Sequence, residues 1–226
     1  MKITVIHGQL KKGSTNNTTA LFLKYLKDNN TEITEFFTND LKPCVGCFSC
    51  IEKTETKCPH YDDIAEILTS IDNSDIVVAE SPCYCMGMSG QLKILFDHFA
   101  HRWLPHRPMK SALTKCGVAF STAAGMGANK TIKAIMEQFK WLGFAEMYGL
   151  SFNVSASSWE KVASKKKDLI EKKVKKLAFK IKKRYGRYKQ GFSSRLLFFI
   201  MKTMQKNNTW NKIDREYWVK QRWIKG

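Results

Sequence analysis

Apolar and polar positions along the first 158 residues switch between two periods. KITVIHG (2–8) and DIVVAESP (75–82) are short β-branched runs that predict buried strands, and TEITEFFT (31–38) alternates as a half-buried strand does. TTALFLKYLKDN (18–29) predicts a helix with Leu21 and Tyr25 on its apolar face. DDIAEILTSIDNS (62–74) predicts a helix with an acidic first turn, and GQLKILFDHFAHRW (90–103) and NKTIKAIMEQFKWLG (129–143) predict two more. KCGVAFSTAAG (115–125) and MYGLSFNV (147–154) complete five strands. Strands alternating with helices imply right-handed crossovers and a parallel sheet covered on both faces. Such a sheet binds ligands beyond the C-terminal strand ends, where the strand order reverses.

From Trp159 onward the pattern changes. Ile170, Val174, Leu177 and Ile181 recur at helical spacing while lysines fill the other positions, which predicts a covering helix with a solvated basic face. The formal charge of +18 belongs to this part: residues 159–226 hold 22 Lys and Arg against 5 Asp and Glu, and residues 1–158 hold 16 against 15. Residues 192–226 add a short apolar helix pattern and the tryptophans Trp210, Trp218 and Trp223, so they are expected to pack on the body or on a second subunit. The division expected is a sheet domain over 1–186 and a basic, Trp-rich helical extension over 187–226. The basic segment could also meet a nucleic acid or an anionic membrane, but no nucleic-acid module supports that, and packing is the favoured reading. The longest apolar run, residues 196–201, is far below the roughly 20 residues of a transmembrane helix. No export signal follows Met1, so a cytoplasmic location and reduced thiols are expected.

Three strand-to-helix loops carry candidate chemistry. HGQLKKGSTNNTTA (7–20) offers backbone N–H groups, hydroxyls and lysines, the makings of an anion cradle suited to a monophosphate; it is neither GxGxxG nor a P-loop. SPCYCMGMSG (81–90) sets Tyr84 beside a small, flexible turn where a flat heterocycle could lie. FSTAAGMGAN (120–129) lets a ring edge approach backbone N–H groups. These loops follow strands 1, 3 and 4, whose ends converge on one crevice in a doubly wound sheet.

KITVIHGQLKKGST, ESPCYCMGMSGQLKILFDHFAHRW and FSTAAGMGA together resemble the flavodoxin-like NAD(P)H-dependent FMN reductases over residues 1–155. CVGCFSC followed by KCPHYDDI resembles the iron-sulfur flavoprotein branch of that group. The resemblance implies a three-layer α/β, flavodoxin-like fold with a doubly wound five-stranded parallel sheet of order 2-1-3-4-5 and a basic helical C-terminal extension. It implies non-covalent FMN, with Lys11, Ser14, Thr15 and Asn16 at the phosphate and Gln9 where many relatives carry serine. Pro82, Cys83, Tyr84, Cys85 and Met86 would line the ring, and Thr122, Ala123, Ala124, Gly125 and Met126 would meet its edge. Cys83 and Cys85 stand where relatives often carry other residues, and read as small core residues. The implied activity is electron transfer from NADH or NADPH to a quinone, flavin or other small acceptor, with no catalytic side chain required; the tryptophans of the extension and the loops at the ring edge favour a homodimer or homotetramer. A non-catalytic protein binding an anion or a partner through the crevice or the basic tail is the alternative.

Cys44, Cys47, Cys50 and Cys58 form C-x2-C-x2-C-x7-C-P. Two steps sharing a middle cysteine suit a [4Fe-4S] cluster better than zinc, which usually takes two separated pairs. The spacing also admits an unmetallated loop or a redox-active thiol pair. His98, His101 and His106 read as a helix end and loop rather than a metal site, and His7 is placed at the end of strand 1, beside the first loop.

Overall fold

Val, Ile, Ala and Phe dominate the strands, and in the computed structural model, which describes residues 1–226, they assemble into one sheet. Strands β1 (Lys2–His7), β2 (Glu32–Phe37), β3 (Ile76–Pro82), β4 (Cys116–Ala123) and β5 (Glu146–Asn153) pair in parallel in the order β2-β1-β3-β4-β5. Register is set by apolar cross-strand neighbours such as Val5 with Val78, Ala79 with Ala119 and Phe120 with Leu150. Every residue of β3 and β4 is buried, whereas β2, at an edge, keeps Glu32, Thr34 and Glu35 exposed.

Alternate side chains feed two cores. Ile3, Val5, Val78 and Phe120 meet helices α1 (Ser14–Leu26) and α6 (Ser164–Arg184), while Ile6, Val77, Ala79 and Ala119 meet α3 (Tyr61–Asn73), α4 (Gly90–Asp97) and α5 (Ala128–Trp141). The result is a three-layer α/β fold of the expected strand order. The lysine-rich helix α6 buries Ile170, Val174, Leu177 and Ile181 as its spacing predicts, and the Arg184 guanidinium forks onto Glu146 to hold its end against β5.

Two local differences from the sequence reading have clear causes. On α1 the buried stripe is Thr15, Thr18, Thr19, Phe22, Leu23 and Leu26, while Leu21 and Tyr25 are only partly buried at its flank, where the Tyr25 hydroxyl donates to Glu171 of α6. The threonines go inside because their hydroxyls find partners there: Thr18 bonds the Ser14 carbonyl and Thr19 bonds Glu80. Helix α4 stops at Asp97 rather than running to 103. The chain then tightens into a 3₁₀ turn at Ala100–Arg102, which tucks Phe99 edge-on against Phe96 and brings Arg102 to Asp72.

The C-terminal residues form α7 (Phe192–Lys206) and α8 (Lys212–Lys220). Trp218 is fully buried, stacking on Phe198 and meeting Trp223 edge-on over Leu104, Met201 and Ile224, whereas Trp210 is exposed. The Gln205 amide, the Trp218 indole and the Tyr217 hydroxyl donate to the carbonyls of Pro105, His106 and Pro108, each at 2.6 Å. No helix is long and apolar enough to cross a membrane.

Candidate functional site

The chain leaves β1 toward β2 on one side and the sheet continues to β3 on the other, so the crevice between the β1 and β3 ends is the switch point. Gly8 makes the exit compact: its N–H bonds the Glu80 carbonyl at 2.9 Å, and a Cβ there would stand 2.7 Å from that oxygen and 2.8 Å from Ser89 Oγ. Helix α1 then begins without a side-chain cap and without an acidic residue in its first turn. The backbone N–H groups of Ser14, Thr15 and Asn16 find no acceptor in the chain, and Lys11 is exposed beside them. An uncapped, acid-free helix start with three free donors is suited to receive an anion.

Side chains of this first turn divide the work. The buried Thr15 hydroxyl bonds the Thr122 hydroxyl at 2.6 Å, tying α1 to the end of β4, and Asn16 Nδ2 lies 3.3 Å from His7 Nδ1. Their backbone donors stay unpaired, next to the partly exposed Ser14 and the exposed Lys11. Gln9 links two loops: its amide donates to the Lys11 carbonyl at 3.0 Å and its oxygen accepts the Tyr84 hydroxyl.

After Pro82 the β3 loop folds into a tight hairpin. Tyr84 and Gly87 exchange backbone hydrogen bonds of 3.0 and 2.9 Å, and the two residues between them, Cys85 and Met86, have φ of 48° and 67°. That is the left-handed pattern of a two-residue turn in which glycine or asparagine is usual. Left-handed backbone at non-glycine residues costs energy that the surrounding loop must offset. Tyr84, Cys85 and Met86 are exposed, so Cys85 is not the core residue that the sequence suggests; the turn throws it outward. Cys83, half-buried, bonds the Thr122 carbonyl through its N–H at 2.8 Å and lies against Gly127, whose φ of 96° and missing side chain leave room for the sulfur. In the β4 loop, Thr122 and Ala123 are still buried strand residues, while Ala124, Gly125 and Met126 are exposed. Open space lies above Gly125.

Beneath the first loop is a buried polar cluster. His7 Nδ1 meets Glu80 Oε1 at 2.7 Å, His7 Nε2 meets Glu35 Oε2 at 2.9 Å, and Thr19 donates to Glu80 at 2.9 Å. Burial opposes charge on His7, but the hydrogen bonds and charges of Glu80 and Glu35 outweigh it, and its pKa lies above the ordinary imidazole value. Glu80 was legible as a carboxylate inside an apolar central strand; its partner, 73 positions away, was not.

The cysteine loop lies on the side of the C-terminal helices. Cys44 and Cys47 are exposed, Cys50 and Cys58 half-buried, with left-handed backbone at Gly46 and Phe48. Burial and then the nearby Cys58, Cys44 and Cys47 push the Cys50 thiol up, so the four share one neighbourhood. Nowhere do three His, Cys, Asp or Glu side chains stand close enough to share a single metal ion. Cys58 Sγ lies 3.9 Å from Nδ1 of His98, which is bonded through Nε2 to the Lys42 carbonyl.

A short helix, α2 (Ser49–Glu52), carries Cys50, and its last carbonyls are capped from elsewhere. Arg107 donates to the Cys50 carbonyl and, at 3.1 Å, to that of Ile51, which also accepts from Asn211 Nδ2 at 3.0 Å. Arg107 pairs with the buried Asp214, whose second oxygen is 2.7 Å from His106 Nδ1. His106 is therefore in an ion-pair network, and Arg107, Asn211 and Asp214 join the residues that sequence reasoning missed. One signal was present: Asn211 and Asp214 have capping spacing, and the Asn211 side chain accepts from the Asp214 N–H at 3.1 Å.

Solved structures share this architecture. An FMN-dependent NADH-azoreductase from Bacillus anthracis, determined in complex with FMN, superposes with a TM-score of 0.60 at 14% identity, covering 80% of this chain and all of that one. An iron-sulfur flavoprotein of Methanocaldococcus jannaschii is 37% identical over 111 residues, 48% of this chain and 54% of that protein. One from Archaeoglobus fulgidus is 28% identical over 141 residues, 61% of each. The matches thus span little more than half of those two relatives. The family described as NADPH-dependent FMN reductase matches residues 1–158, the whole sheet with its three crevice loops, and the chain belongs to that family.

Proposed function

We propose that the chain is an FMN flavoprotein that takes reducing equivalents from NADH or NADPH and delivers them to a small acceptor such as a quinone or another flavin. The observation that carries this reading is the α1 start: three unpaired N–H groups, no cap and no acid at the switch point of the sheet. Those donors fit a phosphate dianion, with Lys11 and Ser14 beside it. Tyr84, held by Gln9, and the outward turn Cys85–Met86 offer a wall for a planar ring, and Ala124 to Met126, open above Gly125, offer its edge. Bound flavin would supply the hydride and single-electron chemistry. The residues of this chain orient the ring, anchor its phosphate and keep its surroundings in register through the Thr15–Thr122 bond.

Titration of flavin-free protein tests the reading. FMN should bind at least ~100-fold more tightly than riboflavin, which lacks the charge-assisted contacts, and Ser14→Asp should abolish the difference. Equal affinity for the two flavins overturns it.

We further propose that Cys44, Cys47, Cys50 and Cys58 hold a [4Fe-4S] cluster. Support comes from Cys44, Cys47 and Cys58 lying within electrostatic reach of Cys50, and from the relatives named as iron-sulfur flavoproteins. The residue chemistry fits a thiolate-held cluster; the second reading is the same flavoprotein without a cluster. Iron and acid-labile sulfide in anaerobically purified protein, four of each per chain and lost in Cys50→Ser, decide between them.

A further inference from the structure

Helix α7 has two apolar faces, and the molecule uses one. Leu197, Phe198 and Met201 pack with Trp218, Trp223 and Ile224. On the other side Phe192, Leu196, Phe199, Ile200 and Met204 stand in solvent, 77, 48, 64, 44 and 58% exposed. At ~100° per residue these five fall within an arc of about 140°. Helix α7 contains no Asp or Glu, and Arg195, Lys202 and Lys206 form a ridge along one border of the arc. That ridge runs into a concavity where Lys202 and Lys206 are joined by Arg222, Lys225 and Trp223, with no acidic residue in its lining.

We propose that this face of α7 seats the protein on an anionic lipid bilayer. The stripe enters the boundary between headgroups and acyl chains while the ridge and concavity meet lipid phosphates, so the helix lies in the interface and does not span it. Five large exposed apolar side chains on one helix need a cover, and charge selects which. A symmetric contact with a second copy would set Arg195, Lys202 and Lys206 against themselves, in a segment with 22 basic and 5 acidic residues. A nucleic-acid backbone would meet the cations but leave the apolar stripe in water. An anionic bilayer satisfies both halves of the face.

Sedimentation of the full-length protein with vesicles of phosphatidylcholine alone, or mixed about 3:1 with phosphatidylglycerol, provides the test. Each Lys or Arg near such a surface strengthens binding roughly fivefold, so the anionic vesicles should bind at least ~30-fold more tightly, and salt raised from about 0.1 to 0.5 M should remove most of that gain. Lys202→Glu with Lys206→Glu should cost at least ~30-fold. Phe199→Glu with Ile200→Glu should cost at least ~10-fold while the thermal midpoint and the flavin spectrum stay unchanged, since both side chains already face water. Equal binding to neutral and anionic vesicles, or binding indifferent to Phe199→Glu and Ile200→Glu, overturns the proposal. So does a dimer that these substitutions dissociate in protein with no affinity for vesicles, or duplex DNA bound more tightly than the anionic vesicles.

Discussion

His7 sits between two carboxylates at the floor of the crevice and is the main partner of the buried Glu80. Removing it without removing Glu80 strands a carboxylate 1% exposed; His7→Leu should cost about 3–5 kcal/mol in urea unfolding, and His7→Leu with Glu80→Leu should recover most of it. Because the folded pKa is raised, this stabilisation is complete below the unfolded imidazole pKa and is lost as pH rises through the folded value. The thermal midpoint of the wild type should therefore fall on the alkaline side of about pH 6.5, and that fall should be smaller in His7→Gln. Asp214 is a second buried carboxylate held this way, against Arg107 and His106. Such pairs are the least legible part of the chain: each half is an ordinary polar residue until the fold brings in its partner from 73 or 107 positions away.

Among the elements, all five strands and the helices α3, α5 and α6 could be read from spacing; α3, α5, α6, β1, β3 and β4 bury apolar residues whose chemistry leaves them no alternative. The face of α1 could not, since Thr15, Thr18 and Thr19 count as polar by composition and become buried only through the hydroxyl partners that the fold supplies. The location of the crevice loops was legible, and so was the candidate phosphate turn; the left-handed hairpin at Cys85 and Met86 was not, as neither residue announces a positive φ. That turn gives a two-sided prediction. Met86→Gly should raise the stability of flavin-free protein by about 1 kcal/mol by releasing backbone strain, measured by chemical denaturation, and should weaken FMN binding if the side chain helps cover the ring.

Across the molecule, the charge asymmetry along the chain signals a distinct C-terminal part, but its attachment is invisible until α7 and α8 are seen holding the carbonyls of Pro105, His106 and Pro108. Under that attachment His101 is buried with both ring nitrogens unpartnered, and burial, then Arg102, Arg107 and His106, push its pKa down to about 3. The unfolded chain takes a proton there below about pH 6.5 that the folded chain refuses, so stability should decline as pH falls from 6.5 toward 3. His101→Phe should lessen the drop in thermal midpoint between about pH 7 and pH 4.5.

The pairing of Arg107 with Asp214 means that trimming the protein to its family-matched length is not a neutral operation. The arginine would keep its charge in a recess built for two, the Ile51 carbonyl would lose its donor from Asn211, and the turn bearing Cys50 would be held by Arg107 alone. Activities measured on such a shortened form would describe a molecule with a loosened thiol arm.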